Sequence, residues 1–520
     1  MTSSVNAGAT TLDQAPSADR SFFGHPRGLS TLFFTEMWER FSFYGLRPLL
    51  VLFMTAALAS GGFGFDRTQA SAIVGIYAAS VYLASLPGGW IADRLLGLRR
   101  AIQYGAVFIS AGHIAIALSA FARTKAPFFI GLILIVMGTG LLKPNISAIV
   151  GDLYPEGGAR REAGFAIFYM GINLGATVGQ IVTGWLGEKV GWHYGFGAAG
   201  VGMLVGLLFY TLQAQATLGD IGRYPVRDPD ATRQARQERN VKLTLVVGAA
   251  ILVLVVALVA TGVVTVNAAA VAESMAYVIL GTAVLYFAYI FALGGLSRDE
   301  KKRVGVIVVL FMFSWIFWAA FEQAPTSLNL FARDFTDRTI GGYEVPASWF
   351  QSINSGFIVL LSPLFAALWM TLGRRGRDFS SPAKFSLGLF LAGIGFLIML
   401  WAANAVVRGE SGTLVSPWWL VGSYFFQTLG EMFLSPVGLA SMTALSPRKY
   451  VGQMMGVWFM SISLGNLIAG LAGGHVDPNK LEQMPKLFAM TTIFLMAAAA
   501  VLALLIVPIR RMMATTKNAQ

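Results

Sequence analysis

The 520-residue chain has no cysteine and only four histidines. The first absence excludes a disulfide framework and thiolate chemistry. The histidines His25, His113, His193 and His475 are scattered and show no metal-ligand spacing. Only His113 falls in the middle of an apolar segment, where a packing role is expected. Charge is scarce too. Asp, Glu, Lys and Arg make up 12% of residues against 56% hydrophobic ones, and mean hydropathy is +0.65. That balance belongs to a polytopic membrane protein and not to a soluble enzyme. There is no Gly-x-x-x-x-Gly-Lys-Ser/Thr loop to support an ATP-driven pump, and no His-Glu-x-x-His or Gly-x-Ser-x-Gly run. The chain reads as a non-enzyme without metal or cofactor, whose uphill work would draw on an ion gradient. Residues 1–27 are polar and are not expected to act as a signal peptide.

What is abundant is apolar sequence in blocks. Fourteen segments run over roughly 29–58, 68–93, 100–121, 127–151, 163–186, 194–217, 242–265, 271–295, 304–332, 347–372, 384–406, 416–445, 450–474 and 486–509. Each is long enough to cross a bilayer as a helix. The expected fold class is all-α, a polytopic membrane protein with 14 transmembrane helices. An even number places both ends of the chain on one side. Net charge is +12 with a pI near 9.9. The positive-inside rule accounts for that excess, and no nucleic-acid partner is expected. With the N-terminus cytoplasmic, inner tails and loops hold 26 of the 38 Lys and Arg, and outer loops hold 9. Arg40, Arg47 and Lys143 remain inside helices.

The charged loop 218–241 follows six segments, and the cluster 297–303 precedes six more. Segments 242–265 and 271–295 lie between them. They are mostly Val, Ala and Leu, with Glu273 as their one acidic residue, which fits a hairpin facing lipid. The expected organisation is a cytoplasmic tail 1–28, a six-helix bundle 29–217, a linker 218–241, an inserted hairpin 242–295, a second six-helix bundle 296–509 and a cytoplasmic tail 510–520. Two six-helix halves imply a cavity between them and a rocking cycle.

The first segment carries Thr35-Glu36-Met37-Trp38-Glu39-Arg40-Phe41-Ser42-Phe43-Tyr44-Gly45-Leu46-Arg47. Four such charges near mid-membrane cost on the order of 10 kcal/mol even on a lenient insertion scale. Glu36, Arg40 and Arg47 share one helical face, with Glu39 and Tyr44 beside it. That face must meet protein or a water-filled cavity. A structural ion-pair network is one reading; an ion or substrate path is the other. Three more charges lie within apolar segments: Lys143, Glu322 and Glu431. Each precedes a proline (Pro144, Pro325, Pro436), as Arg47 precedes Pro48. Proline deprives the carbonyl four residues back of its partner, here Tyr44, Gly140, Phe321 and Met432, so kinks are expected beside the charges. Cations of the first half then face anions of the second. Such an array can exchange ion pairs between states, carry protons, or hold a zwitterion. Tyr82, Asn173, Trp318, Asn354, Ser435 and Trp458, all within apolar segments, are candidates for the cavity lining. Gly171, Gly175 and Gly179 form overlapping Gly-x-x-x-Gly steps, as do Gly452 and Gly456, and mark close helix packing.

Three stretches carry a resemblance. The run Gly88-Gly89-Trp90-Ile91-Ala92-Asp93-Arg94, followed by Gly97 and the pair Arg99-Arg100, resembles the signature loop of the major facilitator superfamily. Glu36-Met37-Trp38-Glu39-Arg40-Phe41-Ser42-Phe43-Tyr44-Gly45 resembles the Glu-x-x-Glu-Arg-Phe-x-Tyr-Tyr-Gly motif of the proton-dependent oligopeptide transporter family. Phe165-Ala166-Ile167-Phe168-Tyr169-Met170-Gly171-Ile172-Asn173-Leu174-Gly175-Ala176 resembles its second signature. The likeness covers essentially the whole chain, including two extra helices typical of bacterial members.

The resemblance implies a major facilitator fold and symport of di- and tripeptides with protons into the cytoplasm, by a monomer in the inner membrane. It implies proton coupling through Glu36, Glu39, Arg40, Lys143 and Glu322. Arg47 and Lys143 would hold the peptide carboxylate, and Glu431, Asn173 and Asn354 its amino terminus and backbone. Glu322 would bridge to Arg47, and Lys143 to Glu431, as opposing gates. Tyr44, Tyr82, Trp318, Ser435 and Trp458 would line side-chain pockets. Phe43 departs from the pattern, where the family usually has the first of two tyrosines. The alternatives are the same fold carrying nitrate or another small anion, and a receptor that transports nothing.

Overall fold

A computed structural model describes residues 19–514, apart from 122–123, 157, 227–229, 376–378 and 411. Residues 1–18 of the expected N-terminal tail, and Arg123, Arg227, Arg377 and Lys517 of the charge count, lie outside the described residues. Among the described residues the fold is all-α but for one two-stranded ribbon, Thr339–Ile340 with Tyr343–Glu344. Its helices are α1 (Arg27–Thr55), α2 (Arg67–Ile91), α3 (Leu98–Leu118), α4 (Ala126–Asp152), α5 (Gly158–Trp185), α6 (Trp192–Leu218), α7 (Ala231–Ala260), α8 (Ala268–Leu293), α9 (Arg298–Phe321), the short α10 (Asn329–Phe335), α11 (Ser352–Arg374), α12 (Ser381–Arg408), α13 (Trp418–Leu445), α14 (Val451–Ala472) and α15 (Gln483–Ala514). Without α10, fourteen long helices remain, one for each apolar segment. Among the described residues, twelve are long and apolar enough to cross a membrane by composition alone. The other two, α1 and α13, hold Glu36, Glu39, Arg40, Arg47 and Glu431.

Helices α1–α6 pack on one another, with α1 against α5 and α6, α3 against α4 and α6, and α2 against α4. Helices α9–α15 form a second group, with α12 against α13 and α15, and α14 against α9. The groups meet where α2 lies on α14 and α5 on α11. Helix α8 rests on α2 and α14, whereas α7 is exposed along most of its apolar length. Lipid solvates an apolar helix as well as protein does, so α7 needs no partner to hide its side chains.

Two glycines fix the closest approaches. A Cβ on Gly88 would stand 1.9 Å from the carbonyl oxygen of Gly140, and one on Gly175 would stand 2.1 Å from that of Met37. The first seats α2 on α4 one turn before Pro144, and the second seats α5 on the charged stretch of α1.

The prolines behave in two ways. Helices α1, α4 and α13 continue through Pro48, Pro144 and Pro436. The segment read as continuous over 304–332 does not. Helix α9 ends at Phe321, a wide turn follows over Ala324–Leu328, and α10 resumes at Asn329. Pro325 removes the donor that Phe321 would need. The break leaves Glu322 at a helix end.

Replacing Gly175 by leucine should drive α5 off α1 and destabilise the fold by roughly 1–3 kcal/mol, the usual cost of overpacking. Gly281, with nothing within 4 Å of an added Cβ, is the control. Thermal unfolding of the two purified variants makes the comparison; equal midpoints would remove the role assigned to Gly175.

Candidate functional site

Helix α1 brings Glu36, Glu39 and Arg40 to the interior of the first group. Arg40 Nε pairs with Glu36 Oε1 at 3.1 Å and also with Glu39 Oε2. All three residues are buried. The guanidinium lies 5.0 Å from the ring centre of Phe43 and 5.9 Å from that of Tyr44. Glu36 Oε2, Glu39 Oε1 and Arg40 Nη2 are buried and face no hydrogen-bond partner among the described residues. Each orphaned polar atom costs about 1–3 kcal/mol.

Two turns further along α1, Arg47 reaches the second group. It pairs with Glu322 Oε2, and its Nη2 donates to Asn466 Oδ1 at 3.3 Å. The α9 break is what brings Glu322 to this position. Lys143, on α4, stands differently. Its Nζ sits 4.2 Å from the ring centre of Tyr82 and makes no ion pair with a described residue. Tyr82 in turn stacks on Phe459 at 6.4 Å. On α13, Glu431 Oε2 accepts from Asn354 Nδ2 at 3.2 Å, and the same amide donates to Thr428 Oγ1 at 3.0 Å. The structure therefore brings Arg47 and Glu322 together and leaves the other expected pair, Lys143 and Glu431, unjoined.

The remaining candidates divide. Tyr44, Tyr82, Asn354 and Ser435 are half-buried, with Ser435 one turn beyond Glu431. Asn173 is buried and donates back to the Tyr169 carbonyl at 3.0 Å. Trp318 is buried against Gly465 and Phe321. Trp458 is only 3% exposed and packs on Gly438 and Phe385 inside the second helix group. Phe43 is buried as well, stacked on Tyr77 with ring centres 6.1 Å apart.

Several contributors escaped the sequence reading. Asn466 is one: an amide within an apolar helix, detectable by the rule that found Asn173. Asn329 Nδ2, which donates to the Pro48 carbonyl at 2.8 Å, is another. The largest omission is a belt of contacts joining the two groups at one end. Arg67 pairs with Asp334 at 2.6 Å and donates to the Val476 carbonyl at 2.8 Å. Arg333 donates to Thr55 Oγ1 at 2.7 Å. Glu188 accepts from the backbone N–H groups of Ala347 and Ser348 at 2.8 and 2.9 Å. Trp349 donates to the Ile181 carbonyl at 2.8 Å. Lys189 donates to Glu344 at 3.0 Å with Arg338 on its other side, and together they hold the Glu344 carboxyl below its usual range. Thr177–Ser355 and Ser463–Ala79 mark the deep limit of the belt. Beyond it no hydrogen bond between described residues links the groups.

A bilayer-spanning chain with two helix groups that meet at buried charges, and are hydrogen-bonded to each other across one end, is built as a secondary transporter. The comparisons with known proteins agree. The model of the POT family matches residues 99–487, and the chain belongs to that family. It is 49% identical over 501 residues to "Peptide transporter YePEPT" of Yersinia enterocolitica subsp. palearctica serotype O:3, covering 96% of this chain and 98% of that protein. It is 38% identical over 509 residues to the "Di-/tripeptide transporter" of Lactococcus lactis subsp. cremoris, covering 95% and 98%. The crystal structure of peptide transporter POT in complex with sulfate superposes with a TM-score of 0.87 at 39% identity, covering 95% and 97%. The fold is thus that of the major facilitators, as expected.

Arg47→Ala would strand Glu322 in a buried site and should cost roughly 3–5 kcal/mol. The double variant R47A/E322Q should recover part of that loss. A double-mutant cycle on thermal or denaturant unfolding would measure it, and a coupling energy near zero would deny the pair an energetic role.

Proposed function

We propose that this chain imports di- and tripeptides together with protons by alternating access. The observation that carries the reading is an asymmetry: the ion pair Arg47–Glu322 is formed while Lys143 and Glu431 stand apart. Two pairs that alternate are what a two-gate carrier needs, and one formed beside one parted fits a state whose gate is closed at the end that carries the polar belt. In this reading the belted end faces outward, both termini are cytoplasmic, and the protein works as a monomer in the inner membrane. Residues 29–217 and 296–509 are the two rocking bundles, and 242–295 is an inserted hairpin.

Arg47 and Lys143 take the peptide carboxylate, and Glu431 with Asn354 takes the amino terminus. Tyr44, Tyr82, Asn173, Trp318, Ser435 and Trp458 line or support the space between them. Carboxylate capture by guanidinium and ammonium groups, opposite a carboxylate for the amine, selects a zwitterion over a bare anion such as nitrate. Glu36, Glu39 and Arg40, with Lys143 and Glu322, form the proton path, since buried carboxylates that change partners change their proton affinity. The cargo passes through chemically unchanged.

Labelled dialanine in proteoliposomes tests the whole reading. Accumulation against its gradient should require an inward proton gradient and collapse with a protonophore. Binding without accumulation, or competition by nitrate at concentrations comparable to peptide, would overturn it. Glu39→Gln tests the proton path. It should abolish gradient-driven uptake and spare peptide exchange across the membrane; full uphill transport by this variant would remove Glu39 from the coupling.

A further inference from the structure

A second cluster of charge lies outside the network described above. Helices α3 and α6 run side by side, and at their arginine-rich end they enclose a cavity of about 270 Å³. Its walls include Arg99, Arg100 and Gln103 from the start of α3, Tyr210 and Gln215 from the end of α6, and Arg223 from the linker beyond.

The sequence dictates this clustering. Gly97, at φ +77°, turns the chain into α3, and a Cβ there would lie 2.8 Å from the Arg223 carbonyl oxygen. The linker can therefore lie directly on the start of α3. The backbone N–H of Arg99 donates to the Gly222 carbonyl at 2.9 Å, and that of Val226 to the Asp93 carbonyl at 2.8 Å. The Arg99 side chain is already committed, donating to the Gly219 carbonyl at 2.5 Å and to Gln215 Oε1 at 2.9 Å. Arg223 pairs with Asp220 at 3.1 Å. Arg100 is exposed and makes no ion pair with a described residue. Three guanidiniums thus surround the cavity with one carboxylate among them. Guanidinium forks fit the oxygens of a phosphate.

The same two helices indicate where that phosphate comes from. One and two turns beyond Arg100, α3 exposes Tyr104 and Val107, at 47% and 45%. On α6, Leu212 and Leu208 precede Gln215 by about one and two turns and are 66% and 60% exposed. The helix pair is thus cationic at one end and exposes apolar side chains further along. A free phosphate has nothing to place on the apolar part; a phospholipid has its acyl chains.

We propose that the α3–α6 groove binds an anionic phospholipid, its phosphate held by Arg100 and Arg223 and its chains lying along Tyr104 and Leu212. The site requires only that the chain spans a membrane, so it stands apart from the cargo reading.

The test uses the purified full-length protein in detergent, with lipid binding read by native mass spectrometry and stability by thermal unfolding. Phosphatidylglycerol, phosphatidylcholine and inorganic phosphate are the probes. Phosphatidylglycerol should bind and raise the unfolding midpoint, and phosphatidylcholine should do neither. The double variant R100Q/R223Q should weaken phosphatidylglycerol binding about tenfold or more, given the attraction of each juxtamembrane arginine to anionic lipid. R374Q/R375Q removes the same charge from the exposed end of α11 and should change nothing. Equal weakening by the two double variants would overturn the site, as would unchanged binding by R100Q/R223Q. Inorganic phosphate stabilising as well as phosphatidylglycerol would overturn the phospholipid assignment. None of these readouts involves peptide uptake, so their failure leaves the transport reading where it was.

Discussion

The desolvation of charge inside a membrane is the constraint from which the rest of this structure follows. A charge at bilayer depth must be paired, hydrated or given up. Within the first helix group, Arg40 is shared by two carboxylates, Glu36 and Glu39, on its own helix. Between the groups, Arg47 crosses to both Glu322 and Asn466. The first arrangement leaves the helix groups free to move relative to each other, and the second ties them together. A carrier needs both kinds, because motion must be possible and must also depend on occupancy.

The backbone serves the same constraint. Gly175 seats α5 closely on the charged stretch of α1, and Gly88 seats α2 closely on α4. The α9 break at Pro325 moves Glu322 off a helix body to a terminus where it meets Arg47 and faces no competing intrahelical neighbour. Asn329 then donates to the Pro48 carbonyl across the interface, so the start of α10 is tied to the body of α1.

Much of this was legible in the sequence, for a physical reason. In a bilayer-spanning chain the background is apolar, so Glu36, Arg47, Lys143 and Glu431 stand out against it. Helix number followed from segment length. The belt around Arg67, Arg333 and Glu188 was not legible, because loop charges at a membrane surface look alike whether they meet water or a partner. Neither was the division at Phe321. Pro48, Pro144 and Pro436 sit in equally apolar surroundings and their helices continue, so the proline alone did not decide the outcome. Trp458 and Trp318 illustrate the other limit: an aromatic in an apolar helix fits a core and a cavity wall equally well, and here both are buried.

Phe43 shows how a departure from a family motif can act at one remove. The hydroxyl that a tyrosine would carry is missing, but the ring does not border open space. It is 4% exposed, wedged between Tyr77 and the Arg40 guanidinium. The neighbouring Tyr77 hydroxyl is itself buried without a hydrogen-bond partner among the described residues. A phenol at position 43 would give Arg40 or Tyr77 another hydrogen-bonding group; a phenyl ring leaves Arg40 with a cation–π contact and its two carboxylates. Among the described residues those two carboxylates are the anionic partners of Arg40. The substitution therefore acts first on the surroundings of Arg40, inside the first helix group.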